Sequence, residues 1–202
     1  YSHGFGTLGE NGSGAGVEQV VQDDIDVYFA TFAKSMASSG AFIAADKEII
    51  DYLKYNMRSQ MFAKSLQMQL VKGVLKRLDM LRNQPEFKAK LWENVHALQN
   101  GLKDNGFDIG NTQSCVTPVY LEGTIPEAMT LVKDLRENYG IFCSIVVYPV
   151  IPKGIILLRL IPTASHTLDD VKETLEAFAS IRDKLEKGIY KRSSDALMAS
   201  VK

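Results

Sequence analysis

Three groups of residues have types and spacings that could do chemistry. The first centres on Lys34, in the stretch TFAKSMASSGAF at residues 31–42. An amine placed just after an apolar run, flanked by Thr31, Ser35 and Ser38, has what an aldehyde-binding lysine needs. Partial desolvation would lower its pKa towards the free base, and the hydroxyls could hold an anion. A surface lysine at a strand end is the plainer reading, and the residues alone leave both open.

The second group is the loop GFGTLGENGSGAG at residues 4–16, too rich in glycine for a regular element. Its G-x-G-x-x-G at 4–9 could cradle a pyrophosphate, but that use needs a strand before it and a helix at once after it. Further glycines follow where the helix should start, so the spacing argues against a dinucleotide. His3 leads directly into this loop, where backbone can approach a ligand closely; a solvated loop histidine is the alternative. The third group, His96, His166, Cys115 and Cys143, shows no metal-ligand spacing. His96 falls in an amphipathic helix and His166 just before a helix cap, both ordinary structural places, and the cysteines read as buried thiols. No metal is expected.

The elements that position these groups follow from periodicity. IDVYFATF at 25–32 and GAFIAA at 40–45 are β-branched, aromatic or continuously apolar, as buried strands are, and Lys34 lies between them. From Asp46, a candidate cap, the period turns helical through Ile49, Ile50, Leu53 and Met57. It continues through Leu66, Leu70, Val74, Leu78 and Leu81, and again after Pro85 through Leu91, Val95, Leu98 and Leu102 to a stop at Gly106. The last hundred residues alternate. A strand TPVYLEG, a helix from Ile125, strands IFCSIVVYPV and GIILLRLIP, and a helix behind the capping pair Thr167 and Asp170 predict a small α/β or α+β domain. The segment after Ile189 is polar and reads as a frayed tail.

Composition bounds the rest. The 202 residues, 46% hydrophobic and 23% charged, can build one good core or two small ones. A net charge of −1, from 23 basic and 24 acidic residues, creates no field to recruit nucleic acid, so a small molecule or a protein is the expected partner. The runs AFIAA and GIILLRLI are far short of an integral membrane segment and no signal-peptide pattern opens the chain, so a cytoplasmic protein is expected. The chain opens at Tyr1 inside the glycine-rich loop, which suggests a piece of something longer.

Three segments, in this order, carry a resemblance: SHGFGTLGENGSG at 2–14, TFAKSMASSGAFIAAD at 31–46 and ILLRLIPTASHT at 156–167. Together they resemble the α-oxoamine synthases, fold-type I enzymes that use pyridoxal 5'-phosphate (PLP). The resemblance runs through almost the whole chain and implies an aspartate aminotransferase-like α/β fold. Residues 1–65 would end the large PLP-binding domain, in a mostly parallel seven-stranded sheet; 66–83 would connect; 84–190 would form the small C-terminal domain, with a mainly antiparallel sheet; 191–202 would be tail.

The resemblance also implies roles. Lys34 falls on the Schiff-base lysine and the base, Thr31 on a threonine that binds the cofactor phosphate, and His3 on the histidine at the PLP phenolic oxygen. Arg159 falls on the arginine that meets the amino-acid carboxylate. In FAKSL, 62–66, Ala63 replaces a threonine that reaches the phosphate of a neighbouring subunit, leaving Lys64 or Ser65 to replace it. A homodimer with its site at the subunit interface follows, closed by movement of the small domain over the large one. The Asp that pairs with the pyridine nitrogen would lie just before Tyr1, and the N-terminal half of such an enzyme is missing. The implied reaction condenses an amino acid with an acyl-CoA. L-Serine and palmitoyl-CoA, giving 3-ketodihydrosphingosine as a bacterial serine palmitoyltransferase does, are the first expectation. Glycine C-acetyltransferase and 8-amino-7-oxononanoate synthase are alternatives within the family, and a non-catalytic subunit is one outside it. Contact with a membrane surface is left open.

Overall fold

The structure is a computed structural model that describes residues 4–193. The chain divides into two compact units, Tyr1–Ala89 and Lys90–Lys202.

The first unit begins with the glycine-rich loop, runs through the one-turn helix α1 (Ala15–Glu18), and enters strand β1 (Val27–Thr31). Strand β2 (Ala41–Ala45) returns antiparallel, pairing Thr31 with Ala41 and Val27 with Ala45. The parallel sheet expected here is not what these two strands form with each other. Residues 32–40 are too short a connection for a parallel crossover, which takes a dozen or more residues. Helices α2 (Lys47–Asn56), α3 (Arg58–Met61) and α4 (Met68–Asn83) follow. Asp46 stands at the N-cap of α2, but its side chain makes no capping bond. Neither α2 nor α4 contains a fully buried residue, although both carry the expected apolar stripe.

The second unit holds a compact core. Helix α5 (Glu86–Asp104) leads into it, burying Val95, Leu98 and Leu102 before Gly106 turns the chain at φ +73°. Strands β3 (Thr117–Glu122), β4 (Ser144–Val146) and β5 (Ile155–Leu160) form the antiparallel sheet expected there, in the order β3-β5-β4. Helix α6 (Ile125–Tyr139) carries Ala128, Leu131 and Leu135 into this core, and α7 (Leu168–Glu186) adds Val171, Phe178 and Ile181. Both helices start with a full capping box, Thr124 with Glu127 and Thr167 with Asp170.

Two expectations change here. The apolar run IFCSIVVYPV gives only a three-residue strand: the ladder covers Ser144–Val146, and Phe142 and Val150, 80% and 78% exposed, lie outside it. The segment after Ile189 does not begin frayed, since Tyr190 is buried and its hydroxyl donates to Asp134 at 2.6 Å; residues 194–202 of the expected tail lie outside the described residues. Among the described residues no helix is long and apolar enough to cross a membrane, and no cluster of ligands could hold a metal.

Candidate active site

Lys34 sits in the turn between β1 and β2. The turn is closed by backbone bonds, Phe32 N to Gly40 O at 2.9 Å, Ser38 N to Phe32 O at 2.8 Å and Ala37 N to Lys34 O at 2.9 Å. Met36, 1% exposed, anchors it from below. Lys34 itself is exposed, and among the described residues its Nζ has no hydrogen-bond or ion-pair partner. The partial burial expected of it is therefore not seen among the described residues. Thr31 is half-buried: its hydroxyl donates to Gly40 O and accepts from Ala33 N, each at 3.2 Å. The Ser38 hydroxyl, four residues beyond Lys34, is buried without a partner.

The glycine-rich loop packs against this turn. Ser35 Oγ donates to Phe5 O at 2.6 Å, joining residues thirty positions apart. A Cβ on Gly6 would lie 2.3 Å from Ser35 Oγ, and one on Gly12 would lie 2.9 Å from the Gly6 Cα. The loop is braced internally by Gly6 N to Gly12 O at 2.7 Å and Gly14 N to Leu8 O at 2.8 Å. Glu18 accepts from Gly9 N at 2.7 Å, and the Lys88 ammonium donates to Gly9 O. Phe42 collects the rings of Phe5, Tyr28 and Phe32 around it. Glycine is therefore needed where backbone meets side chain, a reason distinct from cradling a pyrophosphate. Sequence reasoning named Ser35 as a hydroxyl beside Lys34 but missed its bond to Phe5, since no periodicity ties the two. His3 lies outside the described residues. Ser65 is exposed in the extended segment between α3 and α4, and Leu66 beside it would meet a Cβ on Gly40 at 2.8 Å.

Arg159 belongs to the second unit, described apart from the first. It is exposed on β5, flanked in register by Pro118 of β3 and Ser144 of β4, and its Nε donates to Ser144 Oγ at 3.0 Å. The segment that follows is pinned by Asn94, wholly buried on α5, whose Nδ2 donates to Thr163 O at 3.0 Å and His166 O at 2.8 Å. His166 Nδ1 accepts from Thr163 N at 3.0 Å, the structural role expected of it. Cys115 and Cys143 are buried, and burial pushes the Cys143 thiol up to about 11, which keeps it protonated and inert.

The family profile for aminotransferase class I and II matches residues 3–178, from the glycine loop through most of α7. The chain belongs to the aminotransferase class I and II family. Its relatives are α-oxoamine synthases, as the three sequence segments implied. It is 68% identical over 190 residues to a cysteate-C-fatty acyltransferase of Capnocytophaga ochracea, covering 94% of this chain and 45% of that protein. It is 34% identical to a serine palmitoyltransferase of Sphingobacterium spiritivorum, covering 89% and 45%. A solved serine palmitoyltransferase with a PLP internal aldimine superposes with a TM-score of 0.82 at 28% identity, over 89% of this chain and 45% of that one. The aminotransferase-like fold expected from the sequence is thus the fold found. The chain spans about 45% of the length of the curated relatives it matches.

The described residues fit PLP. Lys34, an amine without a partner among the described residues, could take its aldehyde, and the orphaned Ser38 hydroxyl could donate to its phosphate, as the Thr31 hydroxyl could by turning from Gly40 O.

Proposed function

We propose that this chain belongs to a PLP-dependent C-acyltransferase that joins a fatty acyl-CoA to an α-amino acid, releasing CoA and carbon dioxide and leaving an amino ketone. The observation that carries the reading is Lys34, an amine without a partner among the described residues, on a closed turn against the glycine loop. A non-catalytic subunit would have no need of that amine. PLP, when bound, supplies the electron sink that lets the amino acid's α-carbon act as a nucleophile. Lys34 Nζ holds the cofactor through its aldehyde and, once displaced by the substrate amine, moves the proton at the α-carbon. Thr31 and Ser38 hold the phosphate, with Ser65 offered to the site of a second subunit in a homodimer. His3 addresses the phenolic oxygen, and Arg159 holds the substrate carboxylate.

For the amino acid, 68% identity to a cysteate-C-fatty acyltransferase, twice that to a serine palmitoyltransferase, favours L-cysteate. The second reading, L-serine with palmitoyl-CoA to give 3-ketodihydrosphingosine, rests on the 34% relative and the superposed serine palmitoyltransferase.

The test is the absorbance of the protein with PLP, before and after borohydride, beside Lys34→Ala. A band near about 420 nm that borohydride removes, absent from the variant, is expected. Its persistence in the variant would overturn the role of Lys34. CoA release from palmitoyl-CoA with L-cysteate, against L-serine, then decides the substrate.

A further inference from the structure

We infer that Ser144 is a positioning residue that aims Arg159 at the amino-acid carboxylate, an inference that rests on the role proposed above for Arg159. Strand register brings the two together. Ser144 on β4 stands directly across from Arg159 on β5, and the partner on the other side, Pro118 of β3, has no side-chain group that could hold a guanidinium. Ser144 Oγ accepts from Arg159 Nε at 3.0 Å. Among the described residues no carboxylate pairs with Arg159, whereas Arg182 has Glu186 and Lys184 has Asp134.

The choice of guanidinium nitrogen matters. A guanidinium has five N–H groups, and one edge of the fork includes Nε. With Nε–H tied to Ser144, that edge is occupied. The two terminal amino groups remain, and their parallel N–H bonds match the two oxygens of a carboxylate. A long side chain otherwise gives up rotamer freedom when it clamps a ligand, and a prior tether shifts that loss from binding to folding. The serine is conspicuous in sequence too, a lone hydroxyl inside the apolar run IFCSIVV at 141–147.

The experiment is a spectral titration of the PLP-loaded protein with L-cysteate against taurine, which keeps amine and sulfonate but lacks the carboxylate. L-Serine against ethanolamine is run in the same way. Ser144→Ala should weaken binding of the amino acid about three- to tenfold, raising KM more than it lowers kcat, and leave the carboxylate-free amine unchanged. Ser144→Thr, which keeps the hydroxyl and suits a strand, should restore it. Unchanged taurine binding also reports that the alanine variant is folded. Equal weakening of both ligands, or no weakening of the amino acid while Arg159→Ala abolishes its advantage, would overturn the role of Ser144 and leave that of Arg159 standing. No loss in Arg159→Ala would overturn both.

Discussion

A methyl group at position 6 would meet the Ser35 side chain at 2.3 Å, on a backbone at φ +86° that L-residues avoid. Gly6→Ala should therefore cost at least about 1 kcal/mol from the conformation alone, and more from the clash. Ser35→Ala should cost roughly 1 kcal/mol through the lost bond to Phe5 O. Hydrogen exchange reads both, because the Gly6 and Gly14 amides are tied inside the loop and should lose protection. In a Ser35→Gly background the Gly6→Ala penalty should shrink, since the atoms it strikes are gone; an unchanged penalty would put the strain elsewhere. This contact marks the limit of sequence reading at residue scale. Lys34 and its flanking hydroxyls were legible because they are neighbours in the chain. The Ser35–Phe5 bond was not, since it joins two segments that only the folded backbone brings together.

Elements were legible where a local rule decides them. Thr167 with Asp170 forms the expected capping box, and Gly140, at φ +68°, ends α6 in the left-handed conformation that glycine accepts. The tie between α6, α7 and the segment after them was not legible, because it is tertiary. Asp134 accepts from Lys184 Nζ at 2.7 Å, Tyr190 Oη at 2.6 Å and Asn138 Nδ2 at 2.6 Å. Burial raises the Asp134 pKa, but the bonds from Lys184, Tyr190 and Asn138 outweigh it and leave a net lowering. The Tyr190 hydroxyl is pushed well up, by burial first and then by Asp134. A carboxylate with a depressed folded pKa adds stability that is fully present above its unfolded value, about pH 4, and is lost as pH falls through the folded pKa. Asp134→Asn should therefore be destabilised at pH 7, and its gap to the parent protein should narrow below about pH 4 in urea titrations. A gap that stays constant into acid would mean the carboxylate's charge contributes nothing. Tyr190→Phe should cost roughly 1 kcal/mol at neutral pH, the usual net worth of one hydrogen bond.

At the scale of the whole molecule, the apolar residues are spread along the chain but their burial is not. Among the described residues the fully buried apolar side chains outside Lys90–Lys202 are Ala30 and Met36, while the core cluster built around Leu102, Leu131, Leu158 and Phe178 lies wholly in the second unit. Periodicity marked the apolar faces of α2 and α4, yet Ile50, Leu53, Leu70, Val74 and Leu78 on those faces are only half-buried. A hydrophobic stripe says which face of a helix is apolar and nothing about what covers it, so burial there could not be read from sequence. Local stability follows buried apolar contacts, so the two units of this 202-residue chain should differ in resistance. Limited proteolysis should cut first in the exposed stretch 62–67 and near Gln84–Pro85, between α4 and α5, and leave a resistant fragment that begins before Lys90. Denaturant should melt the first unit ahead of the second, with amide protection strongest at Leu102, Leu135 and Leu158. A single transition with cuts spread evenly over both units would mean that the first unit draws stability from contacts other than its own buried side chains.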